Sequence, residues 1–184
     1  MIHLIVSQQQ KDRCYEFATE IIEGENQFNR FRQTSSIQIQ RTYIGKLAEL
    51  LFREYLESRG IDIPIGDMFT IFPGQENVDG YDFLLPNGEV IDIKTASKSF
   101  HSRIMVPIDQ FASRKDYYVG IKLNFHSNVF NYNNIDSADI YGYVTRETME
   151  RQPTQNFGEG FCKSYLLDRL IDIEPLITLY LDES

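Results

Sequence analysis

Asp82, Asp92 and Lys94 stand in the stretch VDGYDFLLPNGEVIDIKTAS, residues 78–97, among apolar strand formers. Two carboxylates and an ammonium are costly on strands that otherwise bury Phe83, Leu85, Ile91 and Ile93, unless they are paired or used. The turn between the strands decides whether they meet. Pro86-Asn87-Gly88 fits a type I turn followed by a left-handed glycine, the three-residue hairpin loop with a glycine bulge. Pairing outward from that loop sets Leu85 against Glu89, Leu84 against Val90, Phe83 against Ile91, and Asp82 against Asp92. Residues directly opposite share a face, with Cβ atoms about 5 Å apart. One face then carries Phe83, Leu85, Ile91 and Ile93, and the other gathers Asp82, Asp92 and Lys94.

Like charges set opposite each other repel, and Lys94 offsets only part of that repulsion. A divalent cation would offset the rest, because Mg²⁺ is typically held by one or two carboxylates together with waters and phosphate oxygens. The structural alternative is an ion-pair cluster on a sheet edge. A two-residue loop at Asn87-Gly88 would slip the register by one and turn Asp82 to the wrong face, and the same parity excludes Asp79. A further acid comes from the clearest helix, residues 41–58, RTYIGKLAELLFREYLES, whose stripe of Ile44, Leu47, Ala48, Leu51 and Tyr55 ends before Gly60. Glu49 lies one turn after Gly45 and beside Phe52 and Leu56, at the margin of the buried stripe. The small Gly45 allows a close approach there. The alternative for Glu49 is an exposed helix glutamate.

The remaining elements must position these side chains. Ser7 and Gln10 form a capping box that opens a helix ending at Gly24. ENQFNRFRQ (25–33) reads as a second short helix, TSSIQIQ (34–40) as a β-leaning linker and MFTIF (68–72) as a strand. After the hairpin strands, roughly 81–85 and 89–95, RIMV is a third strand, PIDQFASR a short helix, DYYVGIKL a fourth strand and ADIYGYVT a fifth. RETMERQ starts a helix, and the tail offers a short helix and a last strand. The expected fold class is α/β (α+β), with a central mixed sheet of about five strands flanked by helices.

The 184 residues, 42% hydrophobic and 13% aromatic, suffice for one domain with a substantial core. Within it, residues 1–35 read as a helical N-terminal extension, 36–145 as the core and 146–184 as an acidic C-terminal extension. The opening MIHLIV is too short for the apolar region of a signal peptide, and no apolar run reaches the length of a membrane span. Cys14 and Cys162 form no disulfide framework, which suits a reducing, cytoplasmic setting. The net charge of −9 argues against nucleic acid, but it is unevenly spread. Residues 131–184 hold ten acids and four bases, whereas Lys94 to Lys115 hold five bases (Lys94, Lys98, Arg103, Arg114, Lys115) and one acid, Asp109. Zinc is a poor fit, because His3, His101 and His126 are scattered and neither cysteine has a CxxC partner. IGKL lacks the glycine-rich lead-in of a P-loop, and no GxSxG elbow occurs.

GKLAEL on a helix, then GYDFLL, then VIDIKT resembles the PD-(D/E)xK nuclease superfamily, the restriction-endonuclease-like fold, over about residues 41–123. Tyr81 stands where the family's proline would be, and the second acid is aspartate. The resemblance implies a metal site of Glu49, Asp82 and Asp92 with Lys94, assisted by the Ile93 carbonyl and holding Mg²⁺, with Mn²⁺ able to substitute. It also implies a Mg²⁺-dependent DNA endonuclease of restriction, resolvase or repair type, acting as a homodimer so that both strands are cut. Gln110 is a candidate for the polar residue that assists from the next helix in such enzymes, the alternative being a surface side chain. Lys98, Arg103, Arg114 and Lys115 are expected to follow the DNA backbone. Tyr117 and Tyr118 are expected in the core. The acidic tail keeps two alternatives open: a non-catalytic protein-interaction module on the same fold, and an acidic antagonist that mimics DNA.

Overall fold

Ser7 opens the first helix as its sequence requires: the Gln10 amide donates to Ser7 Oγ at 3.2 Å, and the Ser7 amide donates to Gln10 Oε1 at 2.6 Å. This helix, α1 (Gln8–Glu23), is capped by Gly24. The structure is a computed structural model that describes residues 1–24, 34–63, 66–71, 82–113, 115–127, 129–158 and 160–181. The expected helix at 25–33, together with Asp79, Tyr81 and Arg114, lies outside the described residues.

Helix α2 (Ser35–Ser58) begins six residues earlier than its apolar stripe predicts. The segment TSSIQIQ is its N-cap and first turns, with the Thr34 carbonyl accepting from the Ile37 and Gln38 amides at 3.0 and 3.1 Å. Isoleucine and serine weaken a helix by less than about 0.7 kcal/mol each, so packing decides, and Ile39 packs against the main core. The predicted MFTIF strand is also absent among the described residues. A 3-10 turn, Gly66–Phe69, replaces its start, and Met68 and Phe69 pack onto the same core.

The protein is α+β. Its central mixed sheet contains β1 (Ile2–Ile5), β2 (Phe83–Leu84), β3 (Val90–Ala96), β5 (Tyr117–Phe125) and β6 (Ile135–Thr145), in the order β1-β6-β5-β3-β2. Strand β3 runs parallel to β5, and the other pairings are antiparallel. RIMV does form a strand, β4 (Arg103–Pro107), but it leaves the central sheet. It pairs with β8 (Phe161–Leu166) and, through it, with β7 (Thr154–Asn156) as a second, three-stranded sheet. The fifth central strand is instead Ile2–Ile5, whose residues are only half covered, as suits an edge. In the tail the strand β8 precedes the helix, α4 (Glu174–Leu181), the reverse of the expected order. RETMERQ opens α3 (Arg146–Glu150) as expected.

Two cores flank the central sheet. Ile91, Ile93, Val119, Ile121 and Ile140 face α1, α2 and α4, whereas Ala96, Tyr118 and Val144 face Ile104 and Val106 of the second sheet. Ile140 and Val144 have the same parity yet face opposite cores. A β-bulge explains this: Gly120 pairs with Gly142 and Ile121 with Ile140, so one residue of β6 is extra and the strand's alternation inverts. Gly142 adopts φ +136°, and a Cβ there would lie 1.9 Å from the Ile171 carbonyl oxygen. The close approach lets Tyr143 and Ile171 exchange backbone hydrogen bonds at 2.8 and 2.9 Å, which ties the C-terminal segment to the sheet.

Candidate active site

The hairpin adopts the three-residue loop. Phe83 pairs with Ile91 and Leu84 with Val90, the Leu85 amide donates to the Glu89 carbonyl at 2.8 Å, and Gly88 takes φ +82°. Asn87 Oδ1 accepts from the Glu89 amide at 2.9 Å, which stiffens the turn. Asp82 follows directly from this register. Its Oδ2 accepts from the Ile93 amide at 2.6 Å, and its own amide donates to the Ile91 carbonyl at 3.0 Å. Burial pushes the Asp82 carboxyl up to about 8, reinforced by the charges of Glu49 and then Asp92, while the Ile93 amide and Lys94 oppose the shift.

Asp92 is 7% exposed and sits opposite Tyr118 in the parallel ladder, so it faces the second sheet. Two ammonium groups reach it. Lys94 Nζ lies 2.5 Å from Oδ2, and Lys115 Nζ lies 3.2 Å from Oδ1. Both carboxylate oxygens of Asp92 are therefore engaged, each by one ammonium group. Lys94 Nζ also donates to Gln110 Oε1 at 2.9 Å, from the 3-10 turn Ile108–Ala112 between β4 and β5. Gln110 thus contacts the lysine rather than standing free on the surface.

Glu49 comes from α2, on the other side of the sheet from Lys94. Its carboxylate is 20% exposed and pairs with Lys46 at 2.5 Å, and its charge is the second cause of the raised Asp82 carboxyl. A Cβ added at Gly45 would meet nothing within 4 Å, so the helix surface one turn before Glu49 is open. At Ile93 the group that touches Asp82 is the amide.

Of the residues expected to follow DNA, Lys98 and Arg103 are exposed. Lys115 is buried against Asp92 and does not present its charge to solvent. Arg114 is outside the described residues. Tyr118 is fully buried, and Tyr117 packs edge-on against Tyr143. Two residues of the cluster, Lys46 and the site role of Lys115, have no signal in the local sequence. Lys115 is delivered by the crossover: the Val90 amide donates to Asp116 Oδ2 at 2.8 Å and the Asp116 amide donates to the Val90 carbonyl at 3.0 Å, which docks the start of β5 beside β3. An open pocket of about 340 Å³ lined by Glu89, Asp116, Arg146 and Glu150 does not include Asp82, Asp92 or Lys94, and its mostly acidic lining repels phosphate.

Among the described residues, no three His, Cys, Asp or Glu side chains are grouped so as to hold a metal ion. Mg²⁺ needs only one or two protein carboxylates when waters and phosphate oxygens complete its shell. A cation would offset the burial and the neighbouring carboxylates that raise the Asp82 carboxyl, whereas both Asp92 oxygens already face ammonium groups. An incoming cation must displace an ammonium from Asp92. No protein-family model, no curated protein and no solved structure matches the chain.

Proposed function

We propose that the protein is a Mg²⁺-dependent DNA endonuclease that hydrolyses phosphodiester bonds. The observation that supports this proposal is the hairpin register, with the Asp82 carboxyl on the Ile93 amide and raised by burial and by the charges of Glu49 and Asp92. Asp82 and Asp92 would hold the ion, and Glu49 would add charge from the helix side. When bound, Mg²⁺ supplies a low-pKa water and offsets negative charge growing on the phosphate. The chain's own groups do the positioning. The Ile93 amide orients the Asp82 carboxylate. Asp92 and Gln110 each take one proton of Lys94 Nζ and fix its position, which would leave the third proton for an attacking water or a phosphorane oxygen.

The proposal includes Mn²⁺ as a substitute, DNA as the partner, a homodimer that cuts both strands and a cytoplasmic setting. Both cysteines are free and buried, and no helix among the described residues is long and apolar enough to cross a membrane. The test is nicking of supercoiled plasmid with Mg²⁺ and with EDTA. Wild type cuts only with the metal, and Asp92→Ala and Lys94→Ala do not cut. Activity that persists in both variants removes the assignment.

One observation favours a second function, a non-catalytic protein-binding module: both Asp92 oxygens already face ammonium groups, as in a structural ion-pair cluster. That module predicts no Mn²⁺ binding by calorimetry and no cleavage, with the acidic C-terminal region retaining a protein partner.

A further inference from the structure

Phe100 is 75% exposed on the turn that follows β3, and the turn is built to display it. The His101 amide donates to the Lys98 carbonyl at 2.9 Å, closing the turn. Lys122 Nζ reaches from β5 to the Ser99 carbonyl at 3.2 Å, which pins its middle. Around the phenyl ring, Lys98 Nζ lies 5.7 Å from the centroid and the His101 ring packs perpendicular to it at 5.0 Å. A single exposed aromatic is ordinary on a protein surface. One held on a stiffened turn and flanked by cations is a different object.

Along the chain, the charge of this segment runs against that of the whole. From Ile93 to Ile108 there is no acid, while Lys94, Lys98 and Arg103 contribute three bases, in a protein of net charge −9. Asp139, which faces Lys122 across the β5–β6 ladder, is engaged by His3 Nδ1 and Asn124 Nδ2, both at 2.7 Å. Strand β3 leads from Lys94 to Ala96, a rise of about 7 Å, and then into the turn.

An aromatic ring among ammonium groups has the chemistry that binds single-stranded nucleic acid: bases stack on the ring and phosphates meet the cations. We propose that Phe100 is a stacking platform for an unpaired base, and that this chain therefore takes DNA with single-stranded character, the strand running from the Lys98–Phe100 turn toward Lys94. The substrate class rests on the nuclease proposed above, but the binding surface does not require catalysis. In intact duplex the bases already stack on one another, so Phe100 has nothing to accept, and the preference is for single strands, flaps or mismatches.

The test uses the full chain in EDTA, with an oligonucleotide of about 16 nucleotides carrying 2-aminopurine, offered single-stranded and as a duplex. The expected result is quenching on binding the single strand and tighter binding to it than to the duplex. Phe100→Ala abolishes the quenching and weakens single-strand binding about tenfold or more, with duplex binding unchanged. Phe100→Trp keeps both. Lys98→Ala keeps the quenching but lowers the slope of log affinity against log salt by about 0.7. Single-strand binding and quenching in Phe100→Ala equal to wild type overturn the inference, as does absence of single-strand binding by the wild type. Plasmid nicking separates the two proposals. Nicking with binding indifferent to Phe100 leaves the nuclease and removes the platform, whereas Phe100-dependent binding without nicking leaves the platform and removes the nuclease.

Discussion

The Ile93 amide donates to Asp82 Oδ2 at 2.6 Å across a hairpin in which Phe83 pairs with Ile91. This bond ties the Asp82 carboxyl to the backbone of the strand that carries Asp92. The chain keeps the arrangement at an electrostatic cost, and that cost is measurable.

Asp82 makes the fold sensitive to pH. Its folded carboxyl is pushed up to about 8, chiefly by burial and then by Glu49 and Asp92, whereas an unfolded aspartate titrates near about 3.9. Between these values the folded state holds a proton that the unfolded state has released, so stability falls as pH rises from about 4 to about 8. Urea unfolding at about pH 5 and about pH 8 should show this decline in wild type and a flatter profile in Asp82→Asn. Mg²⁺ should raise the wild-type midpoint more at the higher pH, where the carboxylate is available to bind it.

Lys115 is a structural partner of Asp92 as well as part of the candidate site. Lys115→Met leaves the buried Asp92 with Lys94 alone, and stability should fall by about 1–3 kcal/mol. Asp92→Asn should lessen that loss, and a double-mutant cycle by chemical denaturation reads the coupling directly.

Gln110 reaches the site through Lys94 Nζ at 2.9 Å. For the proposed nuclease activity, Gln110→Ala should lower kcat for plasmid nicking by about tenfold with little change in KM. A change confined to KM would place Gln110 in substrate binding instead.

Two glycines should respond in opposite ways to alanine. At Gly142, φ is +136° and a Cβ would lie 1.9 Å from the Ile171 oxygen, so Gly142→Ala should cost about 3 kcal/mol and loosen the C-terminal segment. At Gly45, in the interior of α2, a Cβ meets nothing within 4 Å, so Gly45→Ala should stabilise by about 0.5–1 kcal/mol. Thermal melts of both variants check the pair. A fall in nicking by the more stable Gly45→Ala would show that DNA uses that open surface.

Local pattern was enough for much of this. Pro86-Asn87-Gly88 specifies one loop type and loop type specifies register, which sets Phe83 opposite Ile91 and Leu84 opposite Val90 as the sequence implied. The capping box at Ser7, the glycine ending α1 and the buried stripe of α2 were likewise legible, since each depends on residues within a turn or two. Tertiary packing decided the rest. TSSIQIQ has weak local preferences and became helix when Ile39 found the core. RIMV was readable as a strand, but its assignment to the second sheet depended on pairing with β8, some sixty residues further along the chain. Lys115 entered the site only through the docking of Asp116 against Val90 across a parallel crossover. Parity along one hairpin is a short-range property of the backbone, whereas which distant side chain supplies a counter-charge depends on which surfaces the whole chain can bury together.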